Sequence, residues 1–278
     1  MSKLKQYWDG LDAVPSLDES KIEESLDRLI HKLGRQKRMA GSVLLVLIPV
    51  LAFVGLFCIW PKPTEMLQCY VPLGEQRQLT LSDGTKVTLN SGSTLVYSDK
   101  FDNNQRKVFL NGQAAFEVTK NEHSPFVVST YAFDVTVLGT VFDVSAYPSS
   151  SQASVVLLEG QVSIDYPGGK TLLEPGQLAK INKDGSLAVN GVEALDYFSW
   201  RSGGFVLKKA SMSDIIELLE RQYGLEVRYN YSEKFSDVCI TAKSAERMSL
   251  NSFLQLLENL IPGMKHNLDK ENNTLELY

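Results

Sequence analysis

The residues that most often carry chemistry in proteins are sparse in this chain and form no familiar catalytic pattern. The three histidines, His31, His123 and His266, are widely separated, and they have neither metal-ligand spacing nor the context of a catalytic triad. Three cysteines are an odd number and too few for a disulfide framework. The residue pattern therefore predicts no metal, no cofactor and no enzymatic turnover.

Two further short patterns have a superficial chemical interpretation. Gly168-Gly169-Lys170-Thr171 ends like a phosphate-binding loop, but the first glycine of that motif would fall at Ile164, so the motif fails. Asp134 and Asp143 flank one strand pattern, where paired acidic residues are usually solvated surface groups. Neither pattern predicts a site.

Length and composition indicate a folded chain whose apolar residues are unevenly distributed. The 278 residues are 44% apolar and 22% charged, which is typical of globular proteins and excludes wholly disordered, collagen-like and disulfide-scaffold chains. The formal net charge of −5 argues against a nucleic-acid-binding surface. A chain of this length can hold one to three domains.

Residues 40–60 contain no charged side chain and predict a transmembrane helix. Such a helix would be roughly 31 Å long, which matches the hydrocarbon core of a bilayer. Thirteen of its residues are Leu, Ile, Val or Phe, and their insertion gains on the order of 4–8 kcal/mol. A buried soluble helix would show a polar stripe, and a cleavable signal peptide would have a shorter apolar region. The run therefore predicts a retained single-span anchor.

The basic residues predict how this span is oriented. Four of them crowd its N-terminal flank: Lys32, Arg35, Lys37 and Arg38. The other flank offers Lys62 and then no cation until Arg77. The positive-inside rule therefore places residues 1–39 in the cytoplasm and residues 61–278 on the other side, which in a bacterium is the periplasm.

Residues 1–39 are too few to bury a core of their own. Ser16 and Glu19 have the spacing of a capping box. The apolar residues that follow recur near the helical period: Leu17, Ile22, Leu26, Leu29, Ile30 and Leu33. Such a helix either docks into the groove of a partner, or lies on the membrane face or frays without consequence. The residues alone leave these alternatives open.

Residues 61–70 are interpreted as a linker, and residues 71–190 predict an all-β domain. Short alternating segments are separated by turn signals such as Asp83-Gly84 and Asn111-Gly112. Many of these turns lie about 8–12 residues apart, as in a sandwich or a β-solenoid. The sequence leaves both architectures open.

A second linker over residues 191–202 and a small α+β domain over residues 203–278 complete the predicted architecture. A strand, a helix capped by Ser211 and a second strand are followed by another strand and a helix capped by Ser249. This pattern predicts a duplicated β-α-β unit. A domain so small has exposed sheet edges, which favours an interaction module over a passive cap on the β domain.

The motifs of the β domain, taken together and in order, resemble a known family. The segments are LSDGTKVTLNSGSTLVYSDKF, RKVFLNGQAAFEV, PFVV, VLGTVFDVSAY, VVLLEGQV and LEPGQLAKI. Over roughly residues 71–185 they resemble the periplasmic domain of FecR-type anti-sigma factors. The C-terminal domain is similar to a small module found in many Bacteroidetes members of the family. That module resembles the secretin/TonB short N-terminal domain in fold.

The resemblance implies a single-pass inner-membrane regulator of transcription. Its tail would bind an extracytoplasmic-function sigma factor, and its periplasmic part would sense a TonB-dependent outer-membrane transducer, with periplasmic and intramembrane proteases taking part in activation. The tail is shorter than the usual anti-sigma domain, which favours a minimal docking helix over a folded clamp. The expected sigma contacts are Trp8, Leu26, Leu29, Ile30 and Leu33. The alternative function is a membrane-anchored periplasmic glycan-binding or envelope-assembly module without sigma regulation.

Some members of this family cleave themselves once, at a bond that matches Gly139–Thr140 here. The threonine hydroxyl attacks the preceding carbonyl, and the resulting ester hydrolyses. The alternative is that Gly139 permits close packing and that Thr140 is an ordinary strand residue.

Overall fold

The computed structural model describes residues 19–34, 65–101, 105–229, 235 and 237–278. The chain divides into two compact units, Met1–Pro63 and Thr64–Tyr278. In the first unit the described part is helix α1 (Glu19–Gly34). Residues 40–60, the expected membrane span, lie outside the described residues. Among the helices within the described ranges, none is both long and apolar enough to cross a membrane.

Within the described residues, the second unit begins with thirteen strands that form two sheets sharing one strand. Their bounds are β1 (Met66–Tyr70), β2 (Arg77–Thr80), β3 (Lys86–Leu89), β4 (Thr94–Ser98), β5 (Arg106–Glu117), β6 (Phe126–Ser129), β7 (Asp134–Val137), β8 (Val141–Ala146), β9 (Gln152–Glu159), β10 (Val162–Tyr166), β11 (Gly169–Leu173), β12 (Gln177–Asn182) and β13 (Leu187–Gly191). The first sheet has the order β1-β4-β5-β6-β7-β10-β11 and the second β2-β3-β5-β8-β9-β12-β13. All neighbours are antiparallel except β5 and β6. The first strand, β1, lies within residues 61–70, so the part of that range from Met66 to Tyr70 is a paired strand and not the linker that the sequence predicted.

Strand β5 belongs to both sheets because it changes partners at Gly112. Its first half pairs with β4 and β6, and its second half pairs with β3 and β8. Gly112 has a φ of +119°, and a Cβ at this position would lie 2.6 Å from Cβ of Ser93. Only glycine fits both the backbone conformation and this close approach.

One hydrophobic core is enclosed between the two sheets, which makes the domain a sandwich. Phe116 of the second sheet lies with its ring centroid 6.0 Å from that of Phe126 in the first sheet and 5.1 Å from that of Phe142. All three side chains are fully buried. Successive side chains of a strand point to opposite faces of the sheet, so about every second residue of a strand contributes its side chain to this core.

The C-terminal module contains the strand-helix-strand order twice. Its elements are β14 (Gly203–Ala210), α3 (Met212–Tyr223), β15 (Glu226–Tyr229), β16 (Ile240–Glu246), α4 (Leu250–Leu260), β17 (His266–Asp269) and β18 (Thr274–Leu277). Strands β14 and β16 form an antiparallel ribbon. The second sheet of the module has the order β15-β18-β17, and its β15 and β18 are parallel.

Both helices of the module begin at the serines that the sequence indicated. Ser211 Oγ accepts a hydrogen bond from the backbone N–H of Asp214, and the Asp214 carboxylate accepts one from the N–H of Ser211. Ser249 caps α4 through the N–H of Ser252. Helix α3 ends at Gly224 in the left-handed conformation. These caps satisfy backbone groups that each helix end leaves free.

Residues 191–202 are packed structure, not the linker that the sequence predicted. They include α2 (Ala194–Phe198) and a 3₁₀ helix (Ser199–Ser202). Phe198 and Trp200 are buried on the outer face of the second sheet, against Val156 among others. The segment has no long periodic pattern in its sequence, but burial of its aromatic side chains against the sheet stabilises it. The same contact joins the sandwich and the module into one compact unit.

Candidate functional site

The predicted sigma-binding residues fall partly within helix α1. Leu26, Leu29, Ile30 and Leu33 all belong to α1, but the side chains of Leu29, Ile30 and Leu33 lie outside those that the structure describes. The side chain of Leu26 is 53% exposed. Trp8 lies outside the described residues.

Charged residues on α1 occupy a different face of the helix. Arg28 forms an exposed ion pair with Glu24 one turn earlier, with 2.6 Å between Nη2 and Oε1. Such a pair adds only a few tenths of a kcal/mol to helix stability. The side chains of α1 that the structure describes, those of residues 20, 21 and 23–28, are all exposed, the apolar Leu26 included.

Asp143 is buried at the boundary between the sandwich and the segment that follows it. Its side chain is 3% exposed on β8. Trp200 Nε1 donates a hydrogen bond of 2.8 Å to its Oδ2, and Gln113 Nε2 donates one of 3.0 Å to its Oδ1. The interpretation of Asp143 as a solvated surface group is wrong, because residues 191–202 cover this part of the sheet.

Burial has the largest effect on the pKa of the Asp143 carboxyl group. Desolvation raises the pKa of its carboxyl group from 3.8 to about 7, although the hydrogen bonds from Gln113 and Trp200 and the charge of Arg201 act in the opposite direction. A carboxyl group with this pKa changes its charge near neutral pH.

A second contact fixes the module to the sandwich at the end of α3. The guanidinium carbon of Arg221 lies 4.4 Å from the ring centroid of Tyr147, which is the geometry of a cation–π interaction. Arg221 also forms an ion pair of 2.9 Å with Glu217. Its carbonyl oxygen accepts a hydrogen bond of 3.0 Å from the N–H of Gly74 in the sandwich.

A polar cleft of about 1010 Å³ lies between the sandwich and the module. Its lining includes β14 and part of α3 on the module, and the outer face of the second sheet on the sandwich. Six Lys or Arg residues and four Asp or Glu residues line it. In the part of the chain that the structure describes, no group of three or more His, Cys, Asp or Glu residues could hold a metal ion.

The Gly139–Thr140 bond lies between β7 and β8, and its surroundings are tightly packed. Thr140 is buried, and its hydroxyl donates a hydrogen bond of 3.0 Å to the carbonyl oxygen of Gln161. A Cβ at Gly139 would lie 2.6 Å from Cα of Lys120. The conformation of Gly139 is outside the left-handed region. Close approach of the backbone is therefore a sufficient reason for glycine at this position.

Sequence reasoning missed the contacts at Trp200 and Arg221. One signal was available, since Tyr197, Phe198 and Trp200 place three aromatic residues in a stretch of four, which is unusual for an exposed linker. No local signal marked Arg221, because its partner Tyr147 is distant in sequence.

Comparison with known proteins gives matches to both domains. The family model described as FecR protein matches residues 69–163, and the one described as the C-terminal domain of FecR matches residues 204–275. No curated protein matches the chain.

Two crystal structures from Parabacteroides distasonis ATCC 8503 are similar over most of the chain, and both are described as candidate anti-sigma factors. The structure at 1.65 Å resolution is 30% identical, with a TM-score of 0.72, and the match covers 76% of this chain and 98% of that one. The structure at 2.50 Å resolution is 29% identical, with a TM-score of 0.72, and the match covers 77% and 99% respectively. The similarity therefore extends over nearly the whole of each solved chain.

Proposed function

The chain belongs to the FecR family of anti-sigma factors, and from that premise we propose that it relays a periplasmic signal to an extracytoplasmic-function sigma factor. In this proposal residues 40–60 span the inner membrane, the tail lies in the cytoplasm, and the sandwich and module lie in the periplasm. The signal is the occupied state of a TonB-dependent outer-membrane transducer. The observation that carries the proposal is the presence of both family domains, in order, after an uncharged apolar run with a basic N-terminal flank.

The tail is the part that we propose binds the sigma factor. The spacing of Leu26, Leu29, Ile30 and Leu33 predicts an apolar face on α1, and Leu26 is 53% exposed. An amphipathic helix with an uncovered apolar face is suited to a hydrophobic groove on a partner. A docking mode of this kind needs only a few turns of helix, which fits the short length of the tail.

The C-terminal module is the part that we propose contacts the transducer. Its two sheets have only two and three strands, so strand edges make up much of its surface. Strand edges bind extended segments by main-chain hydrogen bonding. The attachment of the module to the sandwich through Trp200 and Arg221 supports a relay, because a force or rotation applied to the module would be transmitted to the sandwich.

We propose that activation proceeds through proteolysis, with periplasmic and intramembrane proteases acting in turn on the chain. Self-cleavage at Gly139–Thr140 would be a separate, single event within the sandwich. Because β7 and β8 are each paired with other strands, two fragments produced at this bond would stay associated through the sheets.

The experiment that tests the function is co-purification of the full chain with each extracytoplasmic-function sigma factor of its host. We expect the wild-type chain to retain one of these sigma factors and a chain lacking residues 1–39 to lose it. The second chain serves as the control for binding through the periplasmic part. If deletion of the tail changed neither sigma binding nor expression of the target genes, the alternative of an envelope module without sigma regulation would replace the proposal.

A further inference from the structure

We propose that the open edge of β14 receives an extended, acidic segment of the transducer's periplasmic domain as an added strand, inside the cleft between the module and the sandwich. The choice of partner rests on the proposed function. The location, the extended conformation and the acidic character of the segment rest on the structure of the cleft itself.

Strand β14 presents an unpaired edge to the cleft. It pairs with β16 on one side, and among the described residues no strand pairs with its other side. All nine consecutive residues from 203 to 211 line the cleft. Side chains of a strand alternate between two faces, so a strand lines a cavity with every residue only when its edge faces that cavity. Free N–H and C=O groups on such an edge are a template for another strand.

The opposite wall of the cleft carries a row of polar side chains. Gln113, Ser145, Ser154 and Lys180 stand side by side across β5, β8, β9 and β12, because each is the register partner of the next. All four line the cleft. Ser145, Ser154 and Lys180 offer hydrogen-bonding groups to the side chains of a strand that lies along β14, whereas the amide of Gln113 is already bonded to Asp143 and Asn90. The edge of β17 has no such facing wall, since β17 does not line the cleft.

The charge of the cleft favours an acidic occupant. Lys180, Lys208 and Lys209 line it, and none of the three has an ion pair with a described residue. Of the four carboxylates in the lining, Asp196 and Glu217 are paired with Lys243 and Arg221. The other two, Glu75 and Asp214, have no ion pair with a described residue, so the three unpaired lysines outnumber the unpaired carboxylates. The cleft therefore has unpaired positive charge in a chain whose net charge is −5. Complementary charge increases the rate of association and selects the partner.

A local irregularity limits where the added strand can bind. The register of β14 shifts between Leu207 and Ala210, and Lys209 has a φ of +52°. A bulge of this kind interrupts the regular ladder and twists the strand. At the other end, Gly203 has a φ of +77°, its N–H bonds to the carbonyl oxygens of Ser199 and Trp200, and its own carbonyl accepts a hydrogen bond from Gln222. The regular edge therefore runs over residues 204–207, so the added strand is about four residues long and cannot slide into a longer register.

Binding of a defined probe to the full chain in detergent tests the proposal. The probe is the purified periplasmic N-terminal domain of a TonB-dependent outer-membrane transducer of the host, taken from the set of such transducers in turn. We expect K180E and K208E each to raise the Kd by about tenfold, because a favourable charge contact becomes repulsive. K170E on β11 and K270E between β17 and β18 are matched controls, since both lysines are exposed and outside the cleft. We expect them to change the Kd by less than about twofold.

Hydrogen–deuterium exchange of the same complex distinguishes strand addition from simple charge attraction. We expect amides within residues 204–207 to exchange more slowly in the complex, while those of β17 are unchanged. If the probe binds but protects β15 or β17 instead, and K180E and K208E bind like wild type, the β14 site is wrong and the relay stands. If no such domain of the host binds the wild-type chain at all, the relay through a transducer is wrong, and the proposal fails with it.

Discussion

Trp200 donates a hydrogen bond of 2.8 Å from its indole nitrogen to the buried carboxylate of Asp143, fifty-seven residues earlier in the chain. Asp143 belongs to the sandwich, and Trp200 belongs to the segment that leads into the C-terminal module. The contact therefore joins the segment that leads into the module to the sandwich through one buried carboxyl group.

We predict that Asp143 makes stability fall as the pH rises from about 4 to about 7. The pKa of this carboxyl group is 3.8 in an unfolded chain, and burial raises it to about 7 in the folded protein. Between these values the folded state binds the extra proton, so the free energy of unfolding decreases with rising pH, by about 4 kcal/mol over the whole window. The stabilising contribution is complete below pH 4 and lost above pH 7.

Urea unfolding of the wild-type chain and D143N at several pH values measures this effect. Asparagine cannot ionise but keeps an oxygen that accepts the hydrogen bond from Trp200. The difference in unfolding free energy between the two proteins should therefore change across the window and be flat above it. Parallel curves for the two proteins would show that Asp143 does not titrate in this range.

Substitution of Arg221 should loosen the module from the sandwich. R221A removes the cation from the ring of Tyr147 and from Glu217, which we expect to lower the free energy of unfolding by about 1–2 kcal/mol. The measurement is the rate of protease cleavage within residues 191–202, which should increase. R228A is the matched control, because Arg228 pairs with Glu226 on the exposed surface of the same module. Equal cleavage rates for R221A and R228A would contradict the assigned role.

Gly112 should be intolerant of a side chain. G112A would force an L-residue into a φ of +119° and place its Cβ 2.6 Å from Cβ of Ser93. We expect a loss of about 2–4 kcal/mol in the free energy of unfolding. G191A is the control, because its Cβ would meet no atom within 4 Å and its conformation is ordinary. Thermal unfolding of both variants measures the difference, and equal midpoints for G112A and G191A would contradict the predicted need for glycine at position 112.

The apolar face of α1 should be required for sigma binding. The double substitution of Leu29 and Leu33 by Asp places two charges on that face, and we expect it to abolish co-purification of the sigma factor while membrane insertion is retained. The matched control replaces Glu24 and Arg28 by Gln, which removes the exposed ion pair on another face and should leave binding within about twofold. Retained binding by the Asp variant would exclude a docking helix.

We expect the wild-type chain and T140A to give the same full-length band on an immunoblot. The hydroxyl of Thr140 is engaged with the carbonyl oxygen of Gln161, and Gly139 has no left-handed strain to release. A shorter band present in wild type and absent in T140A would instead establish self-cleavage. T140A should also lower the free energy of unfolding by about 1 kcal/mol, because a buried hydrogen bond is lost.

The sequence predicted the elements that have strong local patterns. Alternation and turn residues indicated the strands of the sandwich, and the serines at 211 and 249 indicated where α3 and α4 begin. Helix α1 was likewise predictable from the spacing of Leu26, Leu29 and Leu33. These features depend on interactions between residues close in the chain, which is why a single sequence reveals them.

The contacts between the domains were not predictable, because they join residues far apart in the chain. Asp143 alternates correctly as an outward-facing strand residue, and only the packing of Phe198 and Trp200 on that face makes it buried. The cleft was unpredictable for the same reason, because Lys180 of the sandwich and Lys208 of the module line it together only in the folded unit. The sequence also left the sandwich and the solenoid open as architectures, because the sharing of β5 between two sheets depends on pairing with strands distant in the chain.

The sharing of β5 has a consequence for how the sandwich loses its structure. Neither sheet can separate from its neighbour without breaking the ladders on both halves of the same twelve-residue strand. Melting that starts at either sheet must therefore spread to the other, so the thirteen strands should denature as a single cooperative block with no half-folded species in between.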